Sequence, residues 1–299
     1  MSLAVPQPFA RARSGRPGTA GRGTVVVTGA SSGIGEASAL HLARLGFHVL
    51  AGVRTTADFE RLRRAPEGLE PVMLDITNPE QIATLVALIE ETVPEGLAGL
   101  VNNAGIAAVG PIEMIDLAEW REVFEVNVLG TVAMTTALLP ALLEARGRVV
   151  NISSGAGLVA FPMFGPYAAS KFAMEGFNDA LRREIAAHGV EVVCVEPGVV
   201  ASSIFDKHLA GTRDLLHSLS PAQFERYGGL IRSALRSAEA SSTGGTSPAS
   251  VAPAVARALT DRRPKTRYAV GWESRTVAIT SRVLPDRVSD FVIRRLTAA

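Results

Sequence analysis

The sequence predicts an α/β fold, a doubly wound parallel sheet of about seven strands with helices on both faces. Two observations predict it. From Thr24 onward, short runs rich in β-branched residues alternate with longer stretches of helical periodicity. The strand-like runs are apolar at nearly every position instead of every second one, which is typical of strands buried on both faces. Such an alternation predicts right-handed crossovers and a parallel sheet.

The predicted elements follow one another in a regular order. The strands are Val25–Thr28, His48–Val53, Pro71–Leu74, Leu100–Asn102, Arg148–Ser153, Val190–Val195 and Arg267–Val270. The helices lie at approximately 33–45, 56–65, 79–93, 117–144, 166–187 and 248–260. Asn78-Pro79 and Ser247-Pro248 mark two helix starts, because each places a capping side chain before a proline at the first helical position.

Two segments depart from this alternation. Residues 1–22 hold four arginines and no acid, since the first acidic residue is Glu36. We interpret them as a disordered basic tail, with a transit peptide as the alternative. Residues 23–299 are predicted to form one domain. Within it, residues 203–247 mix apolar patches with a Ser/Gly/Thr-rich stretch, and we expect two helices and a loose loop that act as a lid.

The composition argues against several classes of protein. The chain has 299 residues, 47% of them hydrophobic, and a formal net charge of +1, so no strong field indicates a nucleic-acid partner. No apolar run reaches the roughly 20 residues that span a bilayer, and we expect no stable membrane insertion. The single cysteine, Cys194, excludes an internal disulfide and fits a reducing compartment, which predicts a cytoplasmic location.

The C-terminal segment Val283–Leu296 alternates apolar and basic residues. Such a segment can lie on a membrane surface or pack on the protein body. We expect packing on the body, because Asp286 and Asp290 are mixed with the basic residues.

A glycine-rich turn follows the first predicted strand and opens the first helix. It reads TGASSGIG over Thr28–Gly35, with glycines at positions 29, 33 and 35. Glycine permits a tight turn and lets backbone N–H groups approach a pyrophosphate, while the helix N-terminus adds partial positive charge. The position between strand and helix favours a Rossmann-like, dinucleotide-binding turn over an ordinary one.

The spacing of these glycines, with further motifs in the same order, resembles the short-chain dehydrogenase/reductase family. The other motifs are NNAG at 102–105, Asn127, NISS at 151–154, YAASK at 167–171 and PG at 197–198. VLAGVR at 49–54 and RYAVG at 267–271 are similar to the branch with hydroxysteroid and retinol dehydrogenases. The resemblance implies an NAD(P)-dependent oxidoreductase that moves hydride between a nicotinamide and an alcohol or carbonyl carbon.

Tyr167 and Lys171 are the predicted acid/base pair. Four residues apart on a helix, they share one face. We expect the Lys171 ammonium to lower the pKa of the Tyr167 phenol, which lets the phenol act as acid or base. Alone, the pair fits a surface tyrosine beside a solvated lysine. Ser154, thirteen residues before Tyr167, favours the catalytic interpretation of the pair, because its hydroxyl can hold the substrate oxygen. Ser153 is its rival, and strand alternation points the two to opposite faces.

Asn127 is the fourth predicted catalytic residue. It stands inside an otherwise apolar helical pattern, where an amide needs partners. Alone it fits a hydrogen-bonded core amide. The resemblance implies that it holds a water linking Lys171 to solvent.

The resemblance also implies a set of cofactor contacts along the predicted strand ends. Asp75 corresponds to an adenine contact, and Ser202 stands where many relatives carry threonine. The predicted contacts are Gly29, Ser31, Ser32, Gly33, Ile34, Gly35, Arg54, Asp75, Ile76, Asn103, Ala104, Gly105, Tyr167, Lys171, Pro197, Gly198, Val200 and Ser202.

Residue 54 bears on the choice between the two nicotinamide cofactors. An acid at the end of the second strand selects NAD by binding the ribose 2′-hydroxyl. Here Val53 and then Arg54 occupy that place, and a guanidinium suits a 2′-phosphate. The sequence therefore favours NADP, with NAD as the alternative; Arg54 could also be a solvated residue at a helix start.

The substrate is expected to be a hydrophobic alcohol or carbonyl compound of steroid, retinoid or fatty type. Residues 155–164 supply an apolar wall, and the lid completes the pocket. By analogy with the family, a homodimer or homotetramer forms through the two long helices. The alternatives weighed are a non-catalytic NAD(P)-binding regulator and an epimerase or dehydratase of related fold.

Overall fold

The computed structural model describes residues 21–65, 67–200, 212–244, 246–281 and 283–297. Most of the predicted tail, part of the predicted lid and the predicted contact Ser202 lie outside these residues.

Seven parallel strands form one sheet, in the order β3-β2-β1-β4-β5-β6-β7. The prediction of a doubly wound parallel sheet is confirmed, because the order reverses between β1 and β4. The strands are β1 (Thr24–Val27), β2 (His48–Val53), β3 (Leu69–Met73), β4 (Leu97–Asn102), β5 (Arg148–Ile152), β6 (Glu191–Pro197) and β7 (Arg267–Val270).

Helices cover both faces of this sheet. Those named below are α1 (Gly33–Arg44), α2 (Thr56–Leu62), α3 (Pro79–Thr92), α4 (Leu117–Phe124), α5 (Thr131–Glu144), α6 (Gly165–Ile185), α7 (212–218), α8 (Pro221–Gly244), α9 (Ala252–Thr260), α10 (Trp272–Thr280) and α11 (Asp286–Thr297). Helices α1 and α9 pack on one face through residues such as Leu42 and Val255, and α3, α5 and α6 pack on the other through residues such as Ile89 and Leu138.

A π-helical turn, Glu125–Gly130, joins α4 and α5 into one long helix. This helix, Leu117–Glu144, is long and apolar enough to cross a membrane by length and composition. In the fold it packs against β4 and α3, with Met134, Leu138 and Leu142 buried. Burial between the sheet and α3 therefore accounts for part of its apolar composition, since 39% of its most apolar stretch is buried.

A buried ionic cluster ties β7 to α6 and β6. The guanidinium of Arg267 lies 2.9 Å from both Glu175 and Asp179 and 3.2 Å from Glu196. The Cys194 thiol donates to Glu175 at 3.1 Å, and burial raises the pKa of this thiol well above its usual value. One carboxylate oxygen each of Glu175 and Glu196 and the Sγ of Cys194 lie within 4.8 Å of one another. Arg267 supplies the positive charge that these buried carboxylates need.

Two regions differ from the sequence-based expectation. The Ser/Gly/Thr-rich stretch does not begin a loop at residue 241, because α8 continues to Gly244. The C-terminal segment Val283–Leu296 lies mostly in α11, which contacts α8, so the segment is in contact with the protein body. The apolar side chains of Val288, Phe291 and Val292 are nevertheless exposed, which the sequence did not indicate.

Truncation of a core leucine tests the layer between the sheet and α3–α6. Leu138 is 1% exposed, so Leu138→Ala removes buried methyl groups and leaves a cavity. We expect the free energy of unfolding, measured by urea titration, to fall by about 2–5 kcal/mol. Leu45→Ala is the matched control, because Leu45 is 36% exposed. Equal losses in the two variants would contradict the packing described here.

Candidate active site

The predicted site residues gather along the carboxyl edge of the sheet. Open α/β sheets bind ligands in the crevice where the strand order reverses. Here the glycine-rich turn follows β1, the NNAG motif ends β4, and Ser154 and Pro197 close β5 and β6. The topology therefore brings together motifs that lie far apart in the sequence.

The glycine-rich turn is shaped for a close backbone approach. Gly29 has a φ of +62°, and a Cβ there would come within 2.8 Å of the Ala104 Cα. A Cβ at Gly35 would overlap the Gly29 carbonyl oxygen and the Asn103 amide. Only glycine fits either position. The turn leads directly into α1, whose N-terminus can receive an anion.

Asn103 holds this turn from the side of β4. Its Nδ2 donates to the carbonyl oxygens of Thr28 at 2.9 Å and Gly29 at 3.0 Å. The Thr28 hydroxyl accepts from the backbone N–H groups of Asn103 and Ala104, each at 3.0 Å. The Asn103 side chain thus positions the phosphate-binding turn, which the sequence reasoning did not foresee.

Ser154, Tyr167 and Lys171 come together beside the ends of β5 and β6. The Ser154 side chain lies close enough to the Tyr167 phenol to lower its pKa. The Lys171 Nζ lies 5.6 Å from the Tyr167 ring centroid and donates to the Ile152 carbonyl oxygen at 2.8 Å. Ser153, the rival serine, is buried. The structure therefore places Ser154, and not Ser153, against the phenol.

The environment of the pair shifts both pKa values. Burial raises the pKa of Tyr167 above 10, and the hydrogen bond with Ser154 partly offsets this. Burial lowers the pKa of Lys171 to about 8, against the raising effect of Cys194 and Glu175. The expectation that Lys171 leaves Tyr167 with a lowered pKa is therefore wrong for the protein alone, because desolvation of the phenolate is the larger effect.

Asn127 stands in the π-helical turn and is 2% exposed. Its Oδ1 accepts from the Ile106 N–H at 2.8 Å, and its Nδ2 donates to the Ile106 carbonyl oxygen and the Ser170 hydroxyl, each at 2.9 Å. Ser170 in turn donates to the Tyr167 carbonyl oxygen at 2.7 Å. Asn127 therefore links the strand-end loop after β4 to the helix that carries Tyr167. Inserted turns of this kind occur often at functional sites.

The other predicted contacts line the same edge. Asp75 and Ile76 follow β3, and the Asp75 carboxylate accepts from the Thr77 N–H at 2.9 Å and its hydroxyl at 2.7 Å. Ala104 and Gly105 follow β4. On the far side, the Gly198 N–H donates to the Val270 carbonyl oxygen at 2.8 Å, and Val200 pairs with Thr246.

Two charged residues at this edge were missed by the sequence analysis. Glu273 opens α10 beside Gly198, and its buried Oε2 has no hydrogen-bond partner among the described residues. The Arg61 guanidinium donates to the Ser31 carbonyl oxygen and to Glu36, beside the phosphate-binding turn. Both come from elements outside the motifs, so no local pattern marks them. Arg54 is exposed just after β2, which leaves open both a cofactor contact and a solvated residue before α2.

The apolar segment that contains Met163 and helix α8 border the site. Met163 is 4% exposed, and its carbonyl oxygen accepts from the Gly110 N–H at 2.8 Å. Helix α8 is fastened to the segment after β4, because Tyr227 donates to Glu113 at 2.6 Å and Arg226 pairs with Glu113 at 3.0 Å. The described part of the predicted lid therefore lies over the same end of the sheet.

Comparisons with known proteins agree with this geometry. The family model described as short chain dehydrogenase matches residues 23–212. Retinol dehydrogenase 5 of Mus musculus is 38% identical over 277 residues, covering 90% of this chain and 87% of that protein. The 17-beta-hydroxysteroid dehydrogenase type 6 of Bos taurus is 35% identical over 285 residues, covering 91% and 87%.

A solved structure gives the same result for the fold. A short chain dehydrogenase from Burkholderia cenocepacia J2315, crystallised in complex with NADP, is 26% identical. It superimposes with a TM-score of 0.70, covering 93% of this chain and 98% of that one. This chain therefore belongs to the short-chain dehydrogenase/reductase family of oxidoreductases, and it resembles the branch of retinol and hydroxysteroid dehydrogenases.

Proposed function

We propose that this protein is an NADPH-preferring oxidoreductase that interconverts a hydrophobic ketone or aldehyde with its alcohol, with Tyr167 as the general acid and base. The observation that carries the proposal is the grouping of three side chains: the Lys171 ammonium lies 5.6 Å from the centre of the Tyr167 ring, and Ser154 is close enough to lower the pKa of the phenol. The turn between β1 and α1 suits a dinucleotide, because its close packing requires glycine at positions 29 and 35 and it leads into the N-terminus of α1, where a pyrophosphate can bind.

Tyr167, Ser154 and Lys171 each have a separate role in the proton transfer. When bound, the nicotinamide cofactor supplies or accepts the hydride. In the reductive direction, the raised pKa keeps the Tyr167 phenol protonated at neutral pH, and its O–H donates the proton to the carbonyl oxygen. The Ser154 hydroxyl holds that oxygen by a hydrogen bond. The Lys171 ammonium then stabilises the phenolate. In oxidation the phenolate takes the proton from the alcohol.

The walls of the site favour an apolar substrate. Phe161, Met163 and Phe164 stand on the segment between Ser154 and Tyr167, and Leu215 of α7 lies near Gly110. Apolar linings of this kind suit steroid-, retinoid- or fatty-type molecules. The named relatives, a retinol dehydrogenase and a hydroxysteroid dehydrogenase, support the same substrate class.

We also expect a homodimer or homotetramer in the cytoplasm, formed through the long helices. Leu129 of the π-helical turn is 54% exposed and Phe172 of α6 is 46% exposed, so both helices offer apolar contacts.

Removal of the Tyr167 hydroxyl tests the mechanism. Tyr167→Phe keeps the ring but has no proton to transfer, so we expect the turnover of an apolar ketone to fall by about 10²–10⁴-fold. The affinity for NADPH, measured by nicotinamide fluorescence, should change little. Tyr268→Phe is the matched control and should retain turnover, because the Tyr268 hydroxyl donates to Asp261 before β7, away from the carboxyl edge of the sheet. Full activity in Tyr167→Phe would refute the mechanism; binding of cofactor without any turnover in the unmodified protein would favour a non-catalytic regulator.

The buried ammonium of Lys171 makes stability depend on pH. Its pKa is about 8 in the fold and 10.5 ordinarily, so between these values the folded protein binds fewer protons than the unfolded chain and gains stability as pH rises. Lys171→Met removes the cost of burying the charge. Its stabilising effect on urea unfolding should be about 2 kcal/mol larger at pH 7.5 than at pH 10. An effect independent of pH would show that Lys171 is solvated in the fold.

Replacement of Arg54 tests the cofactor preference. A guanidinium at the end of β2 is placed to pair with a ribose 2′-phosphate, an interaction of about 1.5–3 kcal/mol. Arg54→Ala should weaken NADPH binding by about tenfold or more and leave NADH binding unchanged. Arg44→Ala, which removes an exposed guanidinium at the end of α1, controls for net charge. A preference for NADH in the unmodified protein would reject the assignment of NADPH and leave the role of Tyr167 untouched.

A further inference from the structure

Three charged residues are buried in the part of the chain that the structure describes, and all three lie in one place. They are Lys171, Glu175 and Glu196, which are 5%, 8% and 1% exposed. Lys171 and Glu175 are on α6, and Glu196 is on β6, which packs against that helix. A buried charge is stable only where an opposite charge compensates it. The grouping therefore indicates that these charges compensate one another.

Arg267 does not balance the two buried carboxylates alone. Its guanidinium lies 2.9 Å from a carboxylate oxygen of Glu175 and 3.2 Å from one of Glu196, so a single positive charge faces two buried negative ones. It also pairs with Asp179 at 2.9 Å, but Asp179 has a second partner in Arg182 at 3.1 Å. One negative charge of the buried carboxylates therefore has to be balanced from another side.

Lys171 supplies the remaining positive charge. Tyr167, Lys171 and Glu175 follow one another at intervals of four along α6, so they form one row on the helix with the ammonium in the middle. The Cys194 thiol donates to the Glu175 Oε1 at 3.1 Å, which holds that carboxylate against β6. The ammonium therefore has the phenol on one side along the row and a buried carboxylate on the other.

The pKa of Lys171 agrees with this arrangement. Burial lowers it to about 8, and Cys194 and Glu175 act in the opposite direction. Burial also raises the pKa of the Cys194 thiol well above its usual value, so the thiol is neutral near pH 7 and the negative charge belongs to Glu175. The titratable and charged groups around Lys171 and Glu175 are Tyr167 and Asp179 on α6, Cys194 and Glu196 on β6, and Arg267 on β7.

We propose that Glu175 is a positioning residue whose charge keeps Lys171 in its ammonium form beside Tyr167. The inference rests on the proposed function, in which that ammonium stabilises the Tyr167 phenolate. Glu175 lies beyond the YAASK motif and acts through Lys171, without taking or giving a proton in the reaction. Once its charge is removed, the ammonium loses its proton at a lower pH. Turnover is then lost earlier on the alkaline side of the pH range.

Titration of the lysine side chains tests this inference without any turnover. The chain has three lysines, Lys171, Lys207 and Lys265, so protein grown on carbon-13 lysine gives three Cε signals, and the signal missing from Lys171→Met belongs to Lys171. We expect its midpoint near pH 8 in the unmodified protein. Glu175→Gln keeps the shape of the side chain without its charge and should lower the midpoint by about half a unit or more. Glu175→Asp keeps the charge and should lower it much less.

Asp179→Asn is the matched control, because it removes a carboxylate that pairs with Arg267 at the same 2.9 Å but lies one helical turn farther from Lys171. It should leave the Lys171 midpoint unchanged. In reduction of an apolar ketone, the alkaline limb of the pH profile should move to lower pH in Glu175→Gln by about half a unit or more and stay in place in Asp179→Asn. Circular dichroism establishes that each variant is folded.

Arg267→Gln gives a second measurement if Glu175→Gln does not fold. It removes the cation that competes with Lys171 for the buried carboxylates, so the Lys171 midpoint should rise by about half a unit or more. The inference is overturned if the midpoint stays in place in Glu175→Gln or Arg267→Gln, or if Asp179→Asn lowers it as much as Glu175→Gln. The cluster would then serve only to anchor β7. A shifted midpoint in a protein that turns over no ketone would support the inference and reject the proposed function.

Discussion

The reversal of strand order between β1 and β4 is the constraint on which the rest of the structure depends. Because β2 and β3 extend the sheet in one direction and β4 to β7 in the other, the segments that leave β1 and β4 diverge and open a crevice. The glycine-rich turn, the NNAG motif, Ser154 and Pro197 stand at carboxyl strand ends, and helix α6 brings Tyr167 and Lys171 to the same edge of the sheet. The topology of the sheet thus sets where the site lies, and the side chains at that place determine what chemistry is possible there.

Two polar side chains at the site, those of Asn103 and Asn127, form hydrogen bonds that hold backbone segments in place. The Asn103 amide fastens the glycine-rich turn, and the Asn127 amide fastens the loop after β4 to the helix of Tyr167. Both residues belong to motifs that sequence reasoning assigned to the cofactor or to proton transfer. Their hydrogen bonds show a bracing role that is compatible with either assignment, because a ligand that binds to backbone groups needs those groups held in place.

The fold, and the grouping of Ser154, Tyr167 and Lys171 at one edge of the sheet, were predictable because their signals are local. Alternating periodicity marked the strands, and the spacing of Ser154, Tyr167 and Lys171 marked the site. The remainder depended on contacts between distant segments. Glu273 and Arg61 lie at the crevice but belong to helices that carry no motif. The pKa of Tyr167 is raised by burial, and the spacing of residues along the sequence does not reveal how deeply a side chain is buried. The exposure of Val288, Phe291 and Val292 on α11 was missed because a linear pattern does not report which side of a helix is covered by another element.

The ionic cluster around Arg267 also bears on how the chain is made. Glu175, Asp179 and Glu196 are synthesised well before the arginine that neutralises them, which stands on the last strand of the sheet. A nascent chain that ends before Arg267 lacks the arginine with which Glu175 and Glu196 pair in the fold, and burying carboxylates without it is costly. The first five strands can associate as they emerge, whereas α6 and β6 are expected to close only after β7 has left the ribosome. Order of synthesis and order of folding are thereby coupled at the side of the molecule that carries Tyr167.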